Sequence, residues 1–330
     1  MKRSAIITAV IFMAICLAGC GLSDIKLFQK NTEEKVYSEN RLLSVNGIES
    51  DYREALLYLL SAKESAEKLY GEGIWELKLD EAGTTYGALR KKQVLEEFIE
   101  LKIICANAGE YEVELYEEEN RDIAEYTREF IEKAGRENLL KYNISEPVVK
   151  TLYTNNIIAN KIYEAVTLSV DTNVPDAEAR RGKYQYIFKS KFKETESGTS
   201  VPLTEEENTT LREQVQKLRN QAVEKKDFLS FALLNTEAKE AEVYAGAGFF
   251  NEASELVMAL SDGEFSPVLE TGDGYYIVKC IKAFDEEATV ANREKIVLAR
   301  QEARFEELLE KWKANAQVET DYKKWESLNP

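Results

Sequence analysis

Over most of the first 180 positions apolar residues recur at spacings of three and four, the interval that returns to one face of an α-helix. Leu56, Leu59 and Leu60 form one such stripe, and Ser50-Asp51 precede it, so a capped helix is expected to begin near Tyr52. Val94, Phe98, Leu101 and Cys105 form a second stripe, and an acidic amphipathic stretch from Leu115 to Lys133 ends at Gly135. Ser145-Glu146-Pro147 offers a cap followed by proline in the first turn. Behind it, Val149, Leu152, Asn156, Ala159, Tyr163 and Val166 continue the same alternation. Only Pro147 interrupts residues 21–174 as a proline, so this half reads as an α-helical domain.

The pattern changes beyond Asp171-Thr-Asn-Val-Pro175-Asp176, which reads as a linker. Tyr184-Gln-Tyr-Ile-Phe188 is aromatic and β-branched, the composition of a strand. Residues 191–203 are rich in Ser, Thr, Gly and Lys and read as an exposed loop. Thr204-Glu-Glu-Glu207 opens a helix expected to reach about Lys226, and a shorter helix is expected over Asp227 to Leu234. Phe265 to Leu269 and Tyr275 to Ile281 read as strands around the turn Thr271-Gly-Asp-Gly274. Strand, helices and strands in that order predict a compact α+β unit. A last long helix, from Thr289 to about Ala314, carries Leu298, Phe305, Leu309 and Trp312 on one face. That stripe is longer than the adjacent unit needs, so the helix is expected to return and complete the helical domain.

At the amino terminus Lys2-Arg3 precede an uncharged run from Ala5 to Ala18, and Leu17-Ala18-Gly19-Cys20 closes it. A charged start, an apolar middle and small residues at the cleavage point describe a secretory signal. The run is shorter than the roughly 20 residues of a comfortable membrane span. Cysteine directly after Leu-Ala-Gly resembles the bacterial lipoprotein signal. That resemblance implies a signal peptide over residues 1–19, a lipid on Cys20, a polar tether over 20–45, and a protein held on the extracytoplasmic face of the cell membrane.

Loss of residues 1–19 removes Lys2 and Arg3 and takes the formal charge from −17 to −19. So acidic a chain repels nucleic acid and anionic head groups, and nucleic acid is not expected as a partner. The chain has no histidine. This removes the usual zinc sites, Ser-His and Cys-His nucleophile pairs and any imidazole acid or base, and neither a metal nor a cofactor is expected. Cys105 and Cys280 lie in apolar surroundings, either as small buried hydrophobes or joined as one disulfide. Glu117-Glu-Glu119 and Glu205-Glu-Glu207 read as helix N-termini favoured by the dipole. Gly246-Ala-Gly248 is too short for a phosphate loop, and Trp75, Trp312 and Trp325 read as packing anchors.

Leu260-Ser-Asp-Gly-Glu-Phe-Ser-Pro-Val268 followed by Thr271-Gly-Asp-Gly-Tyr-Tyr-Ile-Val278 resembles the closing part of a parvulin-type peptidyl-prolyl isomerase. Those domains end on a "Leu-x-x-Gly-Glu-x-Ser-x-Pro-Val" phrase and then Gly-Tyr-His-Ile. Asp227-Phe228 with Phe231-Ala232, Gly246-Ala-Gly-Phe-Phe250 and Tyr184-Gln-Tyr-Ile-Phe188 match earlier phrases of the family in the right order, over about residues 183–284. The wider arrangement, with Ser44-Val-Asn-Gly47 and Val94 to Lys102, is similar to the PrsA/SurA group of extracytoplasmic foldases. The resemblance implies an α+β chain. A SurA-like helical chaperone domain over 46–180 would carry an inserted parvulin-like domain over 183–284, and residues 288–330 would return to the helical domain.

In that family two histidines and a nearby Cys or Asp form a hydrogen-bonded core beneath the prolyl bond, under an apolar cup. Carried over, the histidines fall on Tyr186 and Tyr276 and the Cys/Asp position on or near Ala238, beside Glu237. Phe250 matches an aromatic of the pocket and Met258 an apolar position of the following helix, while the segment between Phe250 and Leu256 is short for the family. Tyr186 and Tyr276 are expected as packed core aromatics, with a hydroxyl bond across the strands as the alternative. The resemblance therefore implies a folding factor that holds unfolded or partly folded secreted proteins, with weak or absent isomerisation. A working isomerase with a substituted site is the alternative, an envelope scaffold is a third class, and a homodimer is left open.

Overall fold

The computed structural model describes residues 39–195 and 197–330. Cys20, the signal peptide and residues 20–38 of the expected tether lie outside the described residues. The chain is α+β and divides into two compact units. One holds the described residues up to Ser169 together with Glu302–Pro330, and the other is Val170–Gln301. Among the described residues no helix is long and apolar enough to cross a membrane.

The first unit contains the helices Tyr52–Tyr70, Tyr86–Ala106, Glu117–Ala134, Arg136–Lys141 and Glu146–Thr167. Asp51 caps the first, and Glu54 closes the reciprocal bond of a capping box. Ser145 stands at the expected cap of Glu146–Thr167, but its side chain makes no capping bond. The last residues of the expected tether are a correction. Arg41–Val45 is the central strand of a three-stranded antiparallel sheet, between Ile48–Asp51 and Val318–Thr320. Asn46 and Gly47 turn the first hairpin with φ of 51° and 84°. Two successive positive φ values make the tight turn that Asn-Gly favours. Leu42, Leu43 and Val45 pack with Leu56, Leu59, Val94 and Phe98 in one core, so this unit is not wholly helical. Phe305, Leu309 and Trp312 of the Glu286–Asn315 helix pack with Ile104, Ile162 and Val166 in another. Leu298 of the expected stripe is exposed instead.

In the second unit four antiparallel strands stand in the order Glu242–Ala245, Gly182–Ser190, Gly274–Lys282, Leu269–Glu270. The first and last expected strands are thus neighbours, with Tyr186 opposite Val278 and Phe188 opposite Tyr276. Alternation along the strands gives the sheet two faces. Ile187, Tyr275 and Ile277 pack with Val215, Phe228 and Ala232 of the helices Glu205–Ala222 and Phe228–Asn235. Tyr184, Tyr186, Tyr276 and Val278 pack on the other side with Phe250, Ala253 and Val257.

Three local expectations are corrected here. Phe265 makes one isolated bridge to Lys279, and the strand itself is only Leu269–Glu270. Pro267 lies between them and has no N–H for a ladder. Residues 191–203 are not a plain loop, since Phe192–Glu194 and Ser200–Pro202 pair as a short hairpin. The Thr204-capped helix ends at Ala222. Cys105 and Cys280 fall in different units and both are free thiols.

Candidate functional site

Residues 184, 186 and 188 project to one face because side chains alternate along a strand, and Tyr276 joins them from the neighbouring strand. Tyr186 and Tyr276 are 7% and 8% exposed. Their ring centroids are 6.2 Å apart, and Phe188 lies 4.8 Å from Tyr276. Phe250, only 1% exposed, stands over this face. Its ring meets Tyr184, Tyr186 and Tyr276 edge-on at 5.9, 5.7 and 5.6 Å. Edge-to-face contacts at these distances are the favourable geometry for aromatic rings.

The chain around Phe250 is built for this insertion. Gly246 passes so close to the 180–181 backbone that a Cβ would come within 2.7 Å of the Arg180 carbonyl oxygen. Gly248 takes φ of 87°, which suits glycine, and the Phe250 N–H donates to Ser254 Oγ at 3.0 Å. The glycines of Gly246-Ala-Gly248 thus serve the backbone, not a phosphate.

Polar atoms gather at the turn that carries Asp273. The Tyr276 hydroxyl donates to Asp273 Oδ2 at 3.2 Å, and Thr271 Oγ1 donates to Asp273 Oδ1 at 2.5 Å. Burial works against the Asp273 carboxylate, but hydrogen bonds from Thr271, Asn251 and Tyr276 hold its pKa below the ordinary value. Burial raises the Tyr276 pKa, and the adjacent carboxylate raises it further. Burial also raises that of Tyr186, helped by Glu240. Both shifts favour the neutral phenol. Among the described residues the two hydroxyls do not bond each other, so the expected alternative of a bond across the strands is not formed.

Ala238 packs against this cluster, but its methyl group offers no function, and its N–H donates to Thr236 Oγ1 at 3.2 Å. Glu237 faces another task. Its carboxylate accepts from Lys189 Nζ at 3.0 Å and from the Ser190 N–H at 2.8 Å, which ties down the end of the strand. Met258 packs at the cluster and its sulfur accepts from the Tyr184 hydroxyl at 3.5 Å. The structure therefore brings Tyr186, Tyr276, Phe250, Ala238 and Met258 into one cluster. It adds Tyr184, Phe188 and Asp273, whose roles depend on strand register and a turn that spacing alone does not reveal. Phe249 touches Tyr186 and Phe250 and is 44% exposed, the one large ring of the group open to solvent.

No protein-family model matches the chain, and no curated protein does. Among solved structures it is similar to PrsA/SurA-type foldases and chaperones. The Bacillus anthracis peptidylprolyl isomerase PrsA is 18% identical, covering 68% of this chain and 99% of that one, with a TM-score of 0.32. PrsA of Bacillus cereus is 16% identical over 72% and 89%, with a TM-score of 0.35. A SurA-like chaperone of Campylobacter jejuni is 13% identical over 85% and 98%, with a TM-score of 0.32. At such identities and scores the likeness is weak, and the reading of the site rests on its own residues.

Proposed function

We propose that this protein is an extracytoplasmic folding factor, anchored through Cys20, that holds non-native secreted proteins. Its parvulin-like module is a silent or nearly silent isomerase. Rotation about a prolyl bond needs no covalent chemistry, only a cup for the ring and polar groups that favour the twisted amide. The observation that carries the reading is Phe250, enclosed by Tyr184, Tyr186 and Tyr276 where an open, polar floor would serve the reaction. Phenols held neutral, with one committed to Asp273, are poor substitutes for a paired imidazole floor. The holding role is supported by the sequence resemblance and by a separate helical unit that contributes no residue to this cluster. The test is aggregation of an unfolded secreted client with and without the purified chain. Slowed aggregation at near-stoichiometric amounts is expected. No effect on any client would overturn the holding role and favour an envelope scaffold.

A further inference from the structure

The connection between the helices Tyr52–Tyr70 and Tyr86–Ala106 is firmly fixed yet covered in apolar side chains. Trp75, in the turn Ile74–Glu76, lies so close to Gly87 that a Cβ there would stand 2.5 Å from the indole Nε1. The same ring meets Tyr86 edge-on at 6.2 Å. Lys78 bridges to Thr85, the Leu79 N–H donates to the Thr84 carbonyl at 2.8 Å, and the Thr84 N–H donates to Asp80 Oδ1 at 2.8 Å. Against this rigid backing Leu69, Tyr70, Leu77 and Leu79 are 74%, 68%, 51% and 47% exposed. A single exposed leucine needs no explanation, but four large apolar side chains exposed within eleven consecutive residues set this segment apart.

The charges around them select the partner. Glu72, Glu76, Asp80 and Glu81 stand here against Lys78. Among the described residues Glu72, Glu76 and Glu81 have no ion-pair partner. An anionic bilayer, or a second copy of a chain with net charge −17, would meet like charge at this surface. We infer that residues 69–81 form a docking tip for polypeptide segments that carry Lys or Arg beside large apolar side chains. The inference rests on the folding-factor reading and gives it a surface and a preferred client chemistry.

The test uses fluorescent twelve-residue peptides that alternate Leu or Phe with Lys, or with Glu, titrated with the full chain and read by anisotropy. The lysine peptide should bind about tenfold tighter than the glutamate one, and salt should weaken it. Leu69→Ser/Leu77→Ser/Leu79→Ser should weaken binding about tenfold or more with an unchanged unfolding midpoint. Glu72→Lys/Glu76→Lys should invert the peptide preference, and it decides the matter if the triple variant misfolds. Equal binding of both peptides, or wild-type preference in the charge-reversed chain, would overturn the inference. So would leucine-dependent partition into phosphatidylglycerol vesicles, or leucine-dependent dimers in sedimentation. If those results came with intact suppression of client aggregation, the folding-factor reading would stand while the tip fell. Absence of both binding and suppression would remove both.

Discussion

Glu54 in the helical unit and Tyr276 in the sheet unit are buried to the same degree, 7% and 8% exposed, yet they meet opposite surroundings. Glu54 is paired with Lys102 and accepts from Asn155 Nδ2 at 3.2 Å, so three helices are tied by one carboxylate. Lys102 also lies 5.2 Å from the centre of the Phe98 ring. Tyr276 turns a ring inward and a hydroxyl outward to Asp273. The helical unit admits a full charge and neutralises it, which fixes how its helices meet. On the sheet face around Tyr276 the second unit packs aromatic rings with Ala253, Val257 and Val278. A buried ion pair thus ties the helices of one unit, and an aromatic cluster fills one face of the sheet in the other.

That contrast breaks most readily at its two centres. Phe250→Ala should cost about 3–5 kcal/mol, because the three tyrosines around it cannot all collapse into the void; denaturant unfolding measures it. Glu54→Ala should cost a similar amount, about 3–5 kcal/mol, by leaving Lys102 buried and uncompensated. Replacing both partners, as Glu54→Met/Lys102→Met, should restore most of that loss. If the double variant were as unstable as the single one, packing and not charge pairing would be the role of Glu54. Tyr276→Phe should cost only about 1 kcal/mol, since it removes one hydrogen bond and keeps the ring.

The smallest effect is a pH dependence. The Asp273 pKa is lowered in the folded protein, so its contribution is present above the unfolded value of about 4 and is lost as pH falls toward its own lower pKa. Asp273→Asn should flatten that part of the acid limb of a stability-against-pH curve. An unchanged slope would mean that the carboxylate is no better held in the folded state than in the unfolded one.

Much of this was legible in the sequence where one physical signal acts alone. Ser50-Asp51 announced a capped helix start, and Tyr184 to Phe188 announced a strand, because local chemistry decides both. Arg41–Val45 was hidden because its partner Val318–Thr320 lies more than 270 residues away, although Asn46-Gly47 was a readable hairpin turn. Glu242–Ala245 pairs only at the sheet edge, and its Glu-Val-Tyr-Ala lacks clear alternation. In the cluster, the parvulin resemblance pointed to Tyr186 and Tyr276 as positions of interest. The enclosure of Phe250 by Tyr184, Tyr186 and Tyr276 depends on tertiary packing, which no spacing encodes.

The most direct measurement is the rate of cis-trans isomerisation of a proline-containing tetrapeptide with the purified chain. Turnover barely above the uncatalysed rate is expected, unchanged by Tyr276→Ala or Tyr186→Phe. A rate matching that of a histidine-bearing parvulin module, abolished by Tyr276→Ala in a folded variant, would contradict a closed aromatic core and make the substituted site a working one.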